Sequence, residues 1–492
     1  MNLKNIRPDL FFVFERMNHL QRKSIFQMSH LLLQLCKHLR MSRLSSNAKP
    51  VKSFTCFILA APSVLILLTC SLLRQKGIPV FPVQQAILSS TTLLQVASTF
   101  LVIASSLYGF FIFRITRSSI VFPLQRRVLI LLFGSLVSIL VIAAVSGSRY
   151  DYVAYQYQWS NILQGQNPWV NLSTGPNAYG PIYNAFSAAY GFHPLLPKAL
   201  FVMVLFFLSV FLSSTRKTVQ IAPLLVALSP FSLSIVAVYG FMDVLPAALF
   251  ALSIFFIDRQ KDFVSGCFMA MSIFSKFYGL LAIPLVILRL LTDCSFSRVR
   301  RFAIGLFSFS GVILIHTVLN HGPSFLVPLI WSGQRDPSLF SIARVSGVEQ
   351  FSTYVPVLLS AVVLITAALF FCLRRRVVFE EYLLSLYCLV FALYPLGHQQ
   401  FALLIVLLLA LVWSRETPAQ CQGSRLGSIK LLIGSGLIAG LMSIQLIFES
   451  FSELKPPITS GILNFLSIVY PLLLLVVAIF YLMPYPLMTR DA

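Results

Sequence analysis

The sequence predicts an all-α polytopic membrane protein of about 12–14 transmembrane helices, with amphipathic interfacial helices in its first long outer loop. Three observations lead there. Hydrophobic residues make up 58% of the 492 and charged residues only 11%, with a mean hydropathy of +0.85; a soluble domain carries about 25% charged residues. Apolar runs of the length that crosses a bilayer, about 20 residues, recur along the chain. The 37 Lys and Arg residues fall mainly on one side of the topology that these runs define.

Residues 1–52 form a basic segment, cytosolic or interfacial. Within it, "LFFVFERMNHLQRKSIFQMSHLLLQLCKHLR" has the pattern of a basic amphipathic helix lying on the inner leaflet. A poorly ordered extension is the alternative, with Met41 an equally natural start. The short apolar core and small-residue cleavage site of a signal peptide are not evident. The polytopic domain covers residues 53–483. Its apolar runs lie near 53–73, 90–113, 128–146, 197–214, 218–239, 243–257, 263–275, 278–292, 302–320, 353–373, 380–396, 400–414, 429–448 and 462–483. The runs at 243–257, 263–275, 278–292, 380–396 and 400–414 are short, so some are expected to pair as broken or re-entrant segments. Residues 484–492 form a cytosolic tail.

With the N-terminus inside, 29 of the 37 Lys and Arg residues occupy inner segments and 8 occupy outer ones. This is the bias that orients membrane proteins. It accounts for the net charge of +22 and leaves no need for a nucleic-acid partner. Both termini are thus expected in the cytoplasm of a multi-pass protein of the cell (plasma or inner) membrane. Cys36, Cys294 and Cys421 fall inside and Cys56, Cys70, Cys267, Cys372 and Cys388 within spans, so no disulfide framework is implied.

Two outer loops are long, 147–196 and 321–352. In the first, Tyr152, Tyr155, Trp159, Ile162 and Leu163 recur at helical spacing and make one aromatic face. Tyr and Trp concentrate at membrane interfaces, so this helix is expected to lie flat on the outer surface until Gly165 and Pro168 end it. A Gly-Pro turn and a second short aromatic helix follow in "NAYGPIYNAFSAAYGFHP".

Only 15 residues are acidic, which makes the outer ones candidates for chemistry. Asp151 and Asp243 stand at the mouths of spans, where a carboxylate is costly unless paired or hydrated. Two readings of Asp151 stand: the N-cap of the aromatic helix, paired with Arg149, or a general base facing the outer aqueous side. Lys276, in "MSIFSKFYGLL", is either a lysine snorkelling to the interface or a point charge for a phosphate. His398, in "YPLGHQQFALL", is either a neutral hydrogen-bonding group or a phosphate contact or proton carrier. There is no metal-ligating constellation and no Walker or dinucleotide loop, so no cofactor is expected.

Four stretches in order, "YDYVAYQYQWSNILQGQNPW", "NAYGPIYN", "YGFMDVLPAALFALSIFFIDRQKDFVSGCFMAMSIFSKFYGLLAIPL" and "YPLGHQQFALLIVLLLAL", resemble the GT-C superfamily of polytopic glycosyltransferases. The likeness is closest to the polyprenyl-phosphate-mannose-dependent mannosyltransferases of glycosyltransferase family 87, and it covers residues 145–412. The family shows an Asp opening the first long outer loop, a helix ending in Gly-x-Asn-Pro-Trp/Tyr, and a Tyr-x-Pro turn. A Gly-x-x-Asp span start, a span ending in Lys-aromatic and a late His-x-Gln-aromatic follow. The resemblance implies Asp151 as catalytic base, with Lys276 and His398 serving the donor phosphate or the wall of the site and Asp243 as a second acid. Arg149, Tyr179 and Gln399 complete the expected substrate-binding set. Two features depart from the family: three apolar runs precede the loop where one is usual, and the acid is single, which leaves metal dependence open.

The resemblance implies an inverting transferase that moves a sugar, a hexose such as mannose, from a polyprenyl-phosphate-sugar donor to a lipid or glycan acceptor on the outer face. The alternative is a lipid-linked glycan flippase or secondary transporter without catalysis. Transporters place charges or broken helices near the bilayer midplane, whereas the candidate acids here gather at one face. A polymerase or ligase of lipid-linked polysaccharide would place several Arg in a large outer loop, and 321–352 offers only Arg335 and Arg344.

Overall fold

The computed structural model describes residues 91–118, 120–148, 151–170, 179–214, 218–292, 296–327, 351–373, 377–394, 398–415, 425–451 and 458–483. The expectations for 1–52, the 53–73 run, Arg149, most of 321–352 and 484–492 fall outside these residues. Within them the chain is an all-α polytopic membrane protein. The helices are α1 (Thr91–Arg117), α2 (Arg126–Ser146), α3 (Asp151–Leu163), α4 (Pro181–Asn184), α5 (Phe186–Phe192) and α6 (Leu196–Ser213). They continue with α7 (Ile221–Ala227), α8 (Pro230–Leu233), α9 (Val244–Asp258), α10 (Asp262–Ser275), α11 (Ile283–Thr292) and α12 (Phe296–His321). The last five are α13 (Phe351–Leu373), α14 (Phe379–Leu393), α15 (Ala402–Arg415), α16 (Arg425–Phe451) and α17 (Ile458–Leu482).

Among the described residues, 6 helical stretches are long and apolar enough to cross a bilayer. They are Arg126–Ser146, Leu196–Ser213, Ile221–Val238, Phe296–Leu326, Leu426–Glu449 and Leu463–Leu482. Shorter apolar helices accompany them, Val244–Asp258 and Gln399–Arg415 among those buried within the bundle. The core follows this division. α9, α14 and α15 are buried almost all round, and Ala402 through Val412 is a continuous buried run. By contrast α2 and α12 expose Leu129, Ile130, Phe133, Phe307, Ile315 and Leu319, as helices facing hydrocarbon do. A helix apolar on every side belongs either inside a large core or in a membrane, and this bundle uses both solutions.

Two features depart from a reading of uninterrupted spans. The run expected at 218–239 is divided. Ser229 accepts a hydrogen bond from the Ser232 amide, Pro230 starts α8, and a π turn covers Ser234–Val238. Proline lacks the amide that would continue α7 and suits a first helical turn. The second feature is a short antiparallel ladder, β1 (Val121–Pro123) with β2 (Thr218–Gln220), which ties together two of the expected inner loops. Three-residue strands leave no periodic signal in the sequence, so the pairing is a tertiary event.

The charged pairs mark the two ends of the bundle. At one end Arg298 and Arg301 meet Asp262, Arg415 meets Asp258 and Glu380, and Lys430 meets Glu381 at 2.9 Å. At the other end Lys276 meets Asp243 at 2.5 Å. α9 follows directly on Asp243 and ends at Asp258, and so joins them.

Candidate functional site

The site is built from breaks between helices at the Asp243 end. α10 stops at Lys276, whose backbone is extended (φ −164°, ψ 123°) before a 3-10 turn over Phe277–Ala282. His398 is likewise extended, at φ −125° and ψ 145°, ahead of the 3-10 turn Gln399–Phe401 and α15. Asp243 immediately precedes α9 but makes no side-chain capping bond.

Asp243 is buried, and its carboxylate receives three donors. Lys276 Nζ and the Tyr278 hydroxyl each donate to Oδ1 at 2.5 Å, and the Tyr179 hydroxyl donates to Oδ2 at 3.3 Å. Since Tyr179 donates to Asp243, the 2.6 Å contact between the Tyr155 and Tyr179 hydroxyls has Tyr155 as its donor. A directed chain Tyr155–Tyr179–Asp243–Lys276 results. Aromatic rings surround the ammonium: Lys276 Nζ lies 4.3 Å from the Phe401 ring centre, 4.9 Å from Tyr179 and 5.3 Å from Tyr278. Such rings attract a cation and exclude water from it, which strengthens every charge interaction nearby. The Lys276 side chain keeps 14% of its exposure, so it reaches the surface of the site.

Asp151 enters through Tyr155. It opens α3 as its first residue, one turn before Tyr155 on the same face, where side chains stand about 5–6 Å apart. It therefore stands at the start of the helix, where a carboxylate suits the positive helix end. Asp151 is exposed, in contrast to Asp243. Burial, then the charges of Asp151 and Asp243, hold the Tyr155 phenol well above its ordinary range. The same causes act on Tyr179, where Asp243 leads Asp151, and burial, Tyr152 and Asp151 act on Tyr183. Both acids thus exert their fields on one pair of phenols. These phenols stay protonated and remain donors.

The aromatic face of α3 is turned inward. Tyr152, Tyr155 and Trp159 are buried against Tyr183, Tyr190 and Phe201, with Trp159 5.2 Å from Tyr183 and its indole N–H donating to the Tyr183 carbonyl. Tyr152, Tyr155 and Trp159, read from sequence as interface residues, thus pack against protein. The same residue types serve either setting, and the neighbours that cover them come from 179–201.

Two glycines set the geometry. A Cβ on Gly180 would lie 2.1 Å from the Phe274 carbonyl oxygen, and the Gly180 amide donates to the Ser275 carbonyl at 3.0 Å. The Tyr-Gly-Pro turn is therefore docked on the end of α10, which brings Tyr179 beside Lys276. Gly240 takes a positive φ of 75°, open to glycine at little cost, and turns the chain from the π turn toward Asp243.

Lys198, one of the 8 Lys and Arg residues of the outer segments, is fully buried. Its ammonium donates to Ser146 Oγ at 2.6 Å, the Gly147 carbonyl at 2.9 Å and the Val238 carbonyl at 2.6 Å. It joins the end of α2, just before Asp151, to the π turn that leads to Asp243. The "GQNPW" stretch has a similar stitching role. Asn167 Oδ1 accepts from the Trp169 amide and Asn167 Nδ2 donates to Ser324 Oγ, both at 3.0 Å. The Trp169 indole donates to the Tyr179 carbonyl at 3.0 Å.

Of the residues expected from sequence, Asp243, Lys276 and Tyr179 are in direct contact. His398 joins them through Phe401, edge-on at 5.6 Å. Gln399 is buried beside it, and its Oε1 has no hydrogen-bond donor among the described residues. The contributions of Tyr155, Tyr278, Phe401 and Lys198 were not singled out from sequence. The only signals were the four-residue step from Asp151 to Tyr155 and the aromatic pair after Lys276. Among the described residues no group of three or more His, Cys, Asp or Glu is placed to hold a metal ion. Comparison with family models, curated proteins and solved structures gives no match.

Proposed function

We propose that the chain is an integral-membrane glycosyltransferase of the GT-C type, similar to glycosyltransferase family 87, with 12–14 spans and its site on the outer face of the cell membrane. It moves a sugar, a hexose such as mannose, from a polyprenyl-phosphate donor to a lipid or glycan acceptor. The observation that carries this reading is the pairing of an exposed carboxylate with a caged ammonium across one chain of phenols. Asp243 has its oxygens occupied by Lys276, Tyr278 and Tyr179, so it positions Lys276 and is not the base. Asp151 is exposed and takes the proton of the acceptor hydroxyl as its oxygen attacks the anomeric carbon from the face opposite the phosphate. The C–O bond to phosphate breaks with its electron pair on the leaving group, and Lys276 stabilises that charge. The configuration is inverted.

Further support comes from a groove of about 1140 Å³ between α6 and α9, lined by Leu200, Phe207, Phe211, Leu245, Leu252 and Phe255 among other apolar residues. A groove of that chemistry suits an isoprenoid tail, and it would anchor a donor head at the membrane surface beside the site.

The test uses full-length protein in membranes unable to make the lipid donor, supplied either with a polyprenyl-phosphate sugar or with a nucleotide sugar. Transfer is expected from the former alone. Asp151→Asn keeps the size of the side chain and is expected to reach normal abundance while losing about two to four orders of magnitude in turnover. Full turnover of that variant at full abundance would remove Asp151 from the mechanism. Lipid translocation by the wild type without a new glycosidic bond would establish a flippase.

A further inference from the structure

At the end of the bundle opposite Lys276, the structure carries a polar cavity that the transfer reaction does not use. We propose that this cavity is a binding site for a phosphate group borne on an organic ligand. It measures about 840 Å³ and is lined by four arginines, Arg289, Arg298, Arg301 and Arg415, with Asp258 and Glu380. Each arginine sits at a helix end: Arg289 in the last turn of α11, Arg298 and Arg301 near the start of α12, and Arg415 at the end of α15.

The charges are unevenly placed. On the α15 side one guanidinium, Arg415, serves two carboxylates, Asp258 and Glu380. On the α12 side two guanidiniums share one carboxylate: Arg298 gives Nε and Nη2 to Asp262, and Arg301 gives Nη2 to its other oxygen at 3.0 Å. Arg298 is committed further, with Nη2 also on the Ile257 carbonyl at 2.6 Å. Its side chain is 10% exposed, whereas that of Arg301 is 51% exposed. Arg298 therefore holds the wall, and Arg301 with Arg289 forms its cationic side. α12 begins next to them, and a helix start favours an anion. Its own first turn carries no acid to satisfy that preference.

A guanidinium presents a planar fork of N–H donors that matches two oxygens of a phosphate. The volume exceeds what a bare phosphate needs and falls within the range of small-molecule sites, while Phe370 and Phe379 supply an apolar wall. The ligand is thus a phosphate with an attached organic part. A lipid headgroup and a soluble phosphate ester share this chemistry, and the positive-inside bias puts the cavity on the cytoplasmic side. The site stands independently of the proposed transferase.

The experiment uses the full chain in detergent with two probes. Phenyl phosphate, a soluble phosphate ester, is followed by titration calorimetry, and a short-chain phosphatidic acid by native mass spectrometry. Wild type is expected to bind at least one, and which one tells a soluble source from a lipid. Arg301→Gln and Arg289→Gln are expected to weaken binding tenfold or more. Arg301→Lys, which keeps the charge and the fold but loses the fork, should weaken it severalfold. Arg127→Gln, at an exposed cation outside the cavity, should leave it unchanged. The proposal is overturned if neither probe binds wild type, if Arg301→Gln and Arg301→Lys both bind as wild type does, or if Arg127→Gln weakens binding as much as Arg301→Gln.

Discussion

The Asp243–Lys276 pair permits a quantitative test of how the candidate site is held together. Its side chains are 1% and 14% exposed, so solvent screens the pair little. Asp243→Asn removes the buried carboxylate that faces the ammonium within its aromatic cage and weakens the acceptor of the Tyr278 and Tyr179 hydroxyls. Breaking a buried pair by removing one partner costs about 3–5 kcal/mol. Lys276→Met has a cost of the same order, because the buried carboxylate then rests on two phenols. The double variant leaves no uncompensated charge and loses only the charge-assisted part of the phenol bonds, about 1–3 kcal/mol. The two effects should therefore fall far short of additivity, with a coupling of at least about 3 kcal/mol, the upper end for residues in contact. Equilibrium unfolding of wild type, both single variants and the double variant in mixed micelles measures this directly. Single effects below about 1 kcal/mol that add within about 0.5 kcal/mol would refute the claim that Asp243 is the positioning anchor of Lys276.

Gly180→Ala tests the docking of the Tyr-Gly-Pro turn. A Cβ at 2.1 Å from the Phe274 oxygen must lift the turn and move Tyr179 from Lys276, and a displacement of about 1 Å costs about 10²-fold in rate. Sugar transfer by a variant of normal abundance measures the loss, and unchanged transfer would show that the turn does not position the site. Lys198→Met preserves the length of a buried side chain but takes the ammonium donor from the Gly147 and Val238 carbonyls and from Ser146 Oγ, which keeps its own bonds to the Ala143 and Ala237 carbonyls. Loss of about 3 kcal/mol or more of unfolding free energy is expected, and a loss under about 1 kcal/mol would show that Lys198 is not the joint between α2 and the π turn.

The membrane-helix architecture was legible in the sequence because its cause is local. An apolar run must satisfy its own backbone when water is absent, so runs such as 128–146, 263–275 and 462–483 became α2, α10 and α17 with boundaries shifted by only a few residues. The stops were legible for the same reason: Lys276, Gly240 and Pro168 interrupt an apolar pattern where they stand. The clustering of rare charges at span ends was enough to single out Asp151, Asp243, Lys276 and His398. The pieces of the 218–239 run were less visible, since Pro230 inside an apolar stretch permits either a kink or a break.

Pairing could not be read from the sequence. Asp243 and Lys276 are 33 positions apart, and nothing in either neighbourhood says that one carboxylate takes both Lys276 and Tyr278 while the other stays exposed. Whether the tyrosines of α3 face lipid or protein depends on residues 179–201 covering them, because an aromatic stripe at helical spacing is the same pattern in both cases. Lys198 shows the same limit: a lysine beside a span reads as a surface charge, and only the convergence of α2, α6 and the π turn makes it a buried donor to three acceptors. Sequence by itself thus determined which residues lie at which end of the bundle, a matter of transfer between water and hydrocarbon. Tertiary structure decided which of them share a hydrogen bond, because that depends on distances of about 3 Å, set only when helices remote in the chain pack against one another.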